Sequence, residues 1–420
     1  MEAARTDCAG QCDRNGKPAR SGADAEPDAA GAVHRLGGGI RCAEAGAVSG
    51  QRGYAPASGQ YLCRDKGCGR AALRHLQPEL RPAGFFQVYS TDKVCRNPKG
   101  TEVDWYVLFF MPKSASDDNQ IYYAYIDNTL NSLQYYLYEE STFPPTLITS
   151  YVTSNPQATD FNYFFWNDDL TVKDGDSKSA PSTRAHAKGS LVYDKNYGAF
   201  LLHSLPRFPT RTSTNEILTE LPSNAGSYGQ HFFCITVTKA TSEKIAELLN
   251  YINVSNNASV QKDNVNTNAN QWITALIANK FNSSYPSDLK TTIKSKAGVD
   301  FNFISKNYLN QVTPYDTTVR SIYLDDFYVR SWTKPSLAPA ICEEYSLFNI
   351  ENVQFGNYGY NKGKEHAKWA ISVFKYINCF GDLNHCESQA NRGGNIVCFE
   401  NEKLHNIMIN AVNGIDTCPS

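Results

Sequence analysis

Two short stretches decide how this chain of 420 residues is read: Ala185-His186-Ala187-Lys188-Gly189 and Glu365-His366-Ala367-Lys368-Trp369. They share the tripeptide His-Ala-Lys, and their histidines lie 180 positions apart. With 8 His and 23 Lys in the chain, chance supplies about 0.4 of a His-x-Lys pair. The spacing has a physical meaning. On extended backbone, residues i and i+2 project from one face. On a helix they point about 200° apart. An imidazole and an ammonium aimed at one point therefore predict a strand. Such a pair suits attack on a phosphate, with His as nucleophile or proton donor and Lys on the non-bridging oxygens. Two facing copies would put a nucleophile on one side of the phosphorus and an acid on the other. One His-x-Lys alone reads more simply as an exposed strand tip; the duplication shifts the weight toward chemistry.

Outward from these motifs, the chain from Phe85 has the texture of a mixed α/β (α+β) globular domain. Val103–Met111 is an apolar run of strand length, broken only by Asp104 and bounded by Gly100 and Pro112. Ile121–Ile126, Gln134–Tyr138 and Phe232–Val237 read as strands. Leu191–Leu202, interrupted at Asp194–Gly198, reads as a hairpin or a bent pair of strands. Thr241–Asn253 has helical spacing through Ile245, Leu248, Leu249 and Ile252, with Ser242 as N-cap. Trp272–Phe281 and Glu402–Val412 are further helices.

Residues 1–84 do not match the rest. They hold 14 of the 28 Gly and 10 of the 17 Arg, with no Phe or Trp. Such a segment cannot bury enough to offset its chain entropy and is expected to be disordered. Met1 to Arg20 lacks the apolar stretch of a signal peptide. The segment is either a flexible extension or a mistaken gene-model start that displaced a signal peptide near residue 80; the second is preferred.

The whole chain has Lys+Arg 40, Asp+Glu 42 and net charge −2, which excludes a constitutively basic nucleic-acid binder. Protonating all 8 His would take the charge to +6, suiting a polyanionic partner in an acidic compartment. No stretch approaches the ~18 apolar residues of a membrane span. Gly-x-Ser-x-Gly, His-Glu-x-x-His and phosphate-loop motifs are absent.

The surroundings of the two motifs carry a resemblance. Val103-Asp104-Trp105-Tyr106, Ser182 to Pro209, Tyr228-Gly229-Gln230 with Cys234, and His366 to Cys398 together resemble the deoxyribonuclease II family. The resemblance runs from about Phe85 to Ser420. It implies a phospholipase D-like fold: two similar halves, about 85–240 and 241–420, around a pseudo-twofold axis with the active site between them. It implies hydrolysis of DNA to 3′-phosphate ends, without metal or other cofactor, through a phosphohistidine. His186, Lys188, His366 and Lys368 take the catalytic places, with His186 assigned as nucleophile and His366 as acid. His203 matches the family's third histidine, for which core hydrogen bonding is nearly as good a reading. Asp382, Asn384, Gln389 and Arg392 fall in the family's characteristic segment, which implies orienters of the imidazoles or ligands of the phosphate; the plain reading, with Gly393-Gly394 as a simple turn, is strong beside it. DNA is the expected partner; a homodimer is left open. Two other readings compete: a secreted non-catalytic paralogue binding DNA or a host protein, and another phosphodiesterase of the same fold.

The globular part has seven Cys, whose connectivity spacing alone does not give. The resemblance implies Cys95–Cys234, Cys342–Cys418 and Cys379–Cys398, with Cys386 left over. A zinc site from Cys379, His385, Cys386 and Cys398 has poor spacing. Sequons at Asn253, Asn257 and Asn282 are candidate glycosylation sites. Disulfides and sequons favour a lysosomal or secreted protein.

Overall fold

The computed structural model describes residues 93–140, 161–170, 178–179, 183–211, 217–218, 221–222, 225–260, 270–280, 289–313, 315–334 and 336–418. The chain divides into Met1–Ala83 and Gly84–Ser420, and every described residue belongs to the second unit. The disorder expected for 1–84 lies outside the described residues, as does Asn282.

Two large sheets build this unit. The first takes β1 (Trp105–Phe110), β2 (Tyr122–Asp127), β3 (Gln134–Leu137), β4 (Asn162–Trp166), β5 (Gly189–Tyr193), β6 (Tyr197–His203) and β7 (Gln230–Thr238). After helix α1 (Lys239–Ile252) comes its edge strand β8 (Asn256–Val260), and the order across the sheet is β8-β4-β5-β6-β7-β1-β2-β3. The apolar Val103–Met111 run is thus an interior strand, buried along its whole length. The expected hairpin is β5–β6, paired from Gly189↔Leu202 to Tyr193↔Gly198.

The second sheet follows helix α2 (Gln271–Ile277). Its strands are β9 (Leu289–Lys294), β10 (Asp300–Lys306), β11 (Phe327–Arg330), β12 (Leu347–Asn349), then β13 (Trp369–Ser372), β14 (Ile377–Gly381) and β15 (Gly394–Glu400). The order is β9-β10-β15-β14-β13-β11-β12, antiparallel except for β11–β12. Helix α3 (Glu402–Ala411) closes the chain. Because β8 belongs to the first sheet, the change of sheet falls after Val260.

The sheets bury their facing sides against each other through aromatic rings. Phe233 stacks on Phe399 at 5.6 Å and lies 4.8 Å from Phe380, while Phe200 meets Phe303 at 5.2 Å. Ile245, Leu248, Leu249 and Ile252 of α1 enter the same core, as their spacing predicts. The outer face of the first sheet carries Tyr106, Leu108, Phe110 and the Cys95–Cys234 bridge. Cys379–Cys398 joins directly paired residues of β14 and β15. Cys342–Cys418 ties the C-terminus. The Cys379–Cys398 bridge removes two ligands from the zinc alternative. Cys386 is buried and free of a disulfide.

Helix ends differ from expectation for local reasons. Helix α1 starts earlier because Thr238 Oγ1, not Ser242, accepts from Thr241 N–H at 3.2 Å. Ser242 is inside the helix and back-bonds to Thr238 O. Helix α2 stops at Ile277, with Asn279 at φ 56 turning the chain out.

Candidate active site

Both His-Ala-Lys motifs sit in the last residues before a strand, β5 for the first and β13 for the second. The expectation that they lie on strands is corrected: they precede the ladders, in segments hydrogen-bonded to loops of the other sheet. The period of two nonetheless holds. Ala185, Ala187 and Ala367 point into the core, leaving His and Lys on the other side.

The cross-anchoring is reciprocal. His186 N–H donates to Gly393 O at 2.9 Å, and its Nδ1 lies 3.0 Å from Asp382 O. His366 N–H donates to Gly229 O at 2.8 Å, and its Nδ1 lies 2.8 Å from Ser204 O. A carbonyl only accepts, so each Nδ1 carries the proton and each neutral imidazole presents a bare Nε2. Lys368 Nζ is also 3.3 Å from His366 Nδ1, but that nitrogen is committed to Ser204 O; Lys368 donates instead to His366 O at 2.7 Å. The pair His203-Ser204 bridges the motifs, because His203 N–H donates to Lys188 O while Ser204 O holds His366. Gly229 is a required glycine: a Cβ there would lie 2.6 Å from both Glu365 Oε1 and Tyr360 Oη.

Asp168, which sequence reasoning missed, sits at the centre of the first motif. It pairs with Lys188 and lies 3.7 Å from His186 Nε2 and 3.6 Å from Arg392 Nη2. Its carboxylate therefore occupies the cluster of groups that a phosphate would engage. Burial alone would raise its pKa, but Lys188, His186 and Arg392 outweigh burial and hold it below the usual carboxylate range. The only signal in the sequence was an acidic pair, Asp168-Asp169, just after a strand. His231 was also missed. It is fully buried, and its Nδ1 accepts Lys368 N–H at 3.3 Å, which fixes the opposite tautomer.

The other expected residues divide clearly. Arg392 is brought to the first motif. Asp382 is within electrostatic reach of both lysines: its Oδ2 accepts Asn395 N–H at 2.9 Å, while Oδ1 has no hydrogen-bond partner among the described residues. Asn384 and Gln389 are buried with their side-chain oxygens likewise unpartnered. His203 is 2% exposed and stacked on Phe232 at 5.1 Å. Its ring sits in an aromatic pocket between Phe208 and Phe232, beside the main chain of Leu205. Asn253 is corrected. It is the left-handed C-cap of α1, 6% exposed, and its Nδ2 donates to Thr183 O while Oδ1 accepts from Arg184. A glycan has no room there; the side chain instead anchors the approach to His186. Asn257 lies on β8.

Burial is the leading electrostatic influence. It holds His186, His203, His231 and His366 well below the ordinary imidazole value, and nearby Lys188 or Lys368 pushes further the same way. The charge count of +6 therefore overstates what mild acid does: four of the eight His resist protonation in the free protein. Two other groups of the site are shifted toward neutrality. Burial, then Lys188, lowers Lys368 to about 7. Burial raises Asp382 to about 7.

The profile of deoxyribonuclease II matches residues 94–418. The chain belongs to the deoxyribonuclease II family. Mouse deoxyribonuclease-2-beta is 26% identical over 324 residues, covering 74% of this chain and 88% of the relative. Cell-death-related nuclease 7 of Caenorhabditis elegans is 26% identical over 343 residues, covering 78% and 88%. Plancitoxin-1 of Acanthaster planci is 24% identical over 338 residues, covering 77% and 92%. Membership of this family makes the chain a deoxyribonuclease. Among the described residues no group of three His, Cys, Asp or Glu converges as a metal site, and no helix is long and apolar enough to cross a membrane.

Proposed function

We propose that the site hydrolyses DNA phosphodiester bonds at acid pH, leaving 3′-phosphate ends, through a phosphohistidine and without a metal. One observation carries this reading: two imidazoles, each locked by Nδ1 to a carbonyl of the other half, each with Nε2 uncommitted. In the first step His186 Nε2 attacks phosphorus and the P–O5′ bond breaks. His366 Nε2–H gives its proton to the leaving 5′ oxygen. The 3′-phosphoryl group stays on His186. Water then attacks phosphorus, His366 takes the water's proton, and the P–N bond breaks. Asp382 O, hydrogen-bonded to Nδ1–H, stabilises the positive imidazole throughout. Lys188, Lys368 and Arg392 bear the phosphate charge, and the phosphate displaces Asp168 from them. Asn384 and Gln389 supply unpartnered side-chain oxygens for the flanking nucleotides, and buried His203 supports Lys188 and His366 from behind. The phospholipase D-like arrangement of two related halves belongs to this proposal. It is supported by one His-Ala-Lys before a strand of each sheet.

Acid dependence follows from the site. Above about 7 Asp382 is ionised and Lys368 neutral; below it Asp382 is neutral and Lys368 charged. The site thus becomes more positive by two charges as pH falls, which favours a phosphodiester. The bound phosphate in turn favours the imidazolium of His366 that burial opposes. Three disulfides and an acid optimum fit a lysosomal or secreted enzyme. End-group analysis of cleaved plasmid tests the chemistry: 3′-phosphate, 5′-hydroxyl ends are expected, and 5′-phosphate ends would overturn it.

A further inference from the structure

Lys306 ends strand β10 and is 1% exposed. A buried ammonium is costly unless its donors are satisfied. Here Nζ donates to Ala390 O at 2.5 Å, to Arg392 O at 2.9 Å and to Asn307 O at 3.3 Å. Two of these carbonyls lie at the end of the short helical turn Glu387–Asn391, where main-chain oxygens lack partners and carry partial negative charge. The chain then runs directly into the site. The Arg392 side chain donates through Nε to Arg184 O at 2.9 Å and reaches Asp168 at 3.6 Å. Gly393 O accepts His186 N–H. The loop is held so close that a Cβ on Gly393 would lie 2.2 Å from Ile252 O and 3.3 Å from Lys306 O.

We propose that Lys306 is a positioning residue for DNA binding: its ammonium gathers the carbonyls of Ala390 and Arg392 and so aims the Arg392 guanidinium at the scissile phosphate. Lys306 itself touches no substrate. The fixed cation acts from the second sheet upon the first motif. The inference rests on the proposed phosphate role of Arg392.

The test is a double-mutant cycle in DNA affinity. A short fluorescent DNA duplex is titrated at acid pH over a salt series, in a His366→Ala background that prevents turnover. The proteins compared are the background, Lys306→Met, Arg392→Ala and the pair combined. Arg392→Ala should weaken binding about tenfold and flatten the salt dependence by about one phosphate contact. Lys306→Met should do the same while keeping a cooperative melting transition. The double variant should be no weaker than Arg392→Ala alone, since both act through one contact. If Lys306→Met does not fold, Lys306→Gln, which keeps N–H donors for the carbonyls, carries the same comparison and should lie between background and Arg392→Ala. Multiplying losses in the double variant, or an unchanged salt slope in the Lys306 variants beside a weakened Arg392→Ala, would overturn the inference and leave the phosphate role of Arg392 standing. Unchanged affinity in Arg392→Ala would overturn that role, and the inference with it.

Discussion

At the scale of residues, the two imidazoles are alike in tautomer and differ only in what surrounds them. His186 faces Asp168, Lys188 and Arg392; His366 faces Trp332 edge-on at 4.1 Å and Lys368. His186→Ala and His366→Ala should each lower the rate of DNA cleavage at least about a hundredfold, the scale of losing a positioned acid, base or nucleophile. Melting temperatures should stay close to the parent's. Near-normal turnover in His186→Ala would refute the assignment. Asp382→Asn imitates the protonated carboxyl. Because burial raises Asp382 to about 7, the variant should lose part of the decline in activity between mildly acid and neutral pH. An unaltered pH–rate profile would remove Asp382 from the explanation. The motifs were legible because a repeated tripeptide stands out in a line of text. Asp168 and His231 were not, since only the fold brings them to Lys188 and Lys368, from 20 and 137 positions away.

At the scale of elements, the backbone carbonyls do the orienting. Asp382, Gly393, Ser204 and Gly229 each lend a main-chain oxygen to His186 or His366, and no side-chain reading could reveal that. Strand periods and the apolar face of α1 were readable because local patterning sets them. The earlier start of α1 was decided by one Thr hydroxyl. Asn253 shows the limit of a motif: its sequon is intact, yet its amide is spent on Thr183 and Arg184. Gly229→Ala should be disproportionately damaging for one methyl group. The new Cβ must displace Glu365 or Tyr360 behind His366, at the ~1–3 kcal/mol typical of overpacking. A lowered melting temperature together with lowered turnover is expected; parent-like values for both would show that the segment yields freely.

At the scale of the whole molecule, the site's electrostatics couple stability to pH. His186, His203, His231 and His366 have depressed values in the folded state, so the stability they contribute is present above about 6.5 and lost as pH falls toward those values. Asp382, raised to about 7, and Asp104, also raised by burial, work in the opposite sense, but they are two groups against four. The DNA-free protein should therefore melt at a lower temperature at acid than at neutral pH, and DNA should raise the acid value more. Equal stabilisation by DNA at both values would contradict the coupling. The composition break near residue 84 and the family match from 94 to 418 lead to one more expectation. A chain beginning near Phe85, secreted under a signal peptide, should cleave DNA as the full chain does, as a side-by-side rate measurement would show. The most direct test of the central claim is plasmid cleavage by the purified protein in EDTA at a pH about one to two units below the ordinary His value. The account predicts nicking that persists in EDTA and fades toward neutral pH. Cleavage abolished by EDTA and restored by Mg²⁺, or an optimum on the alkaline side of neutrality, would contradict it.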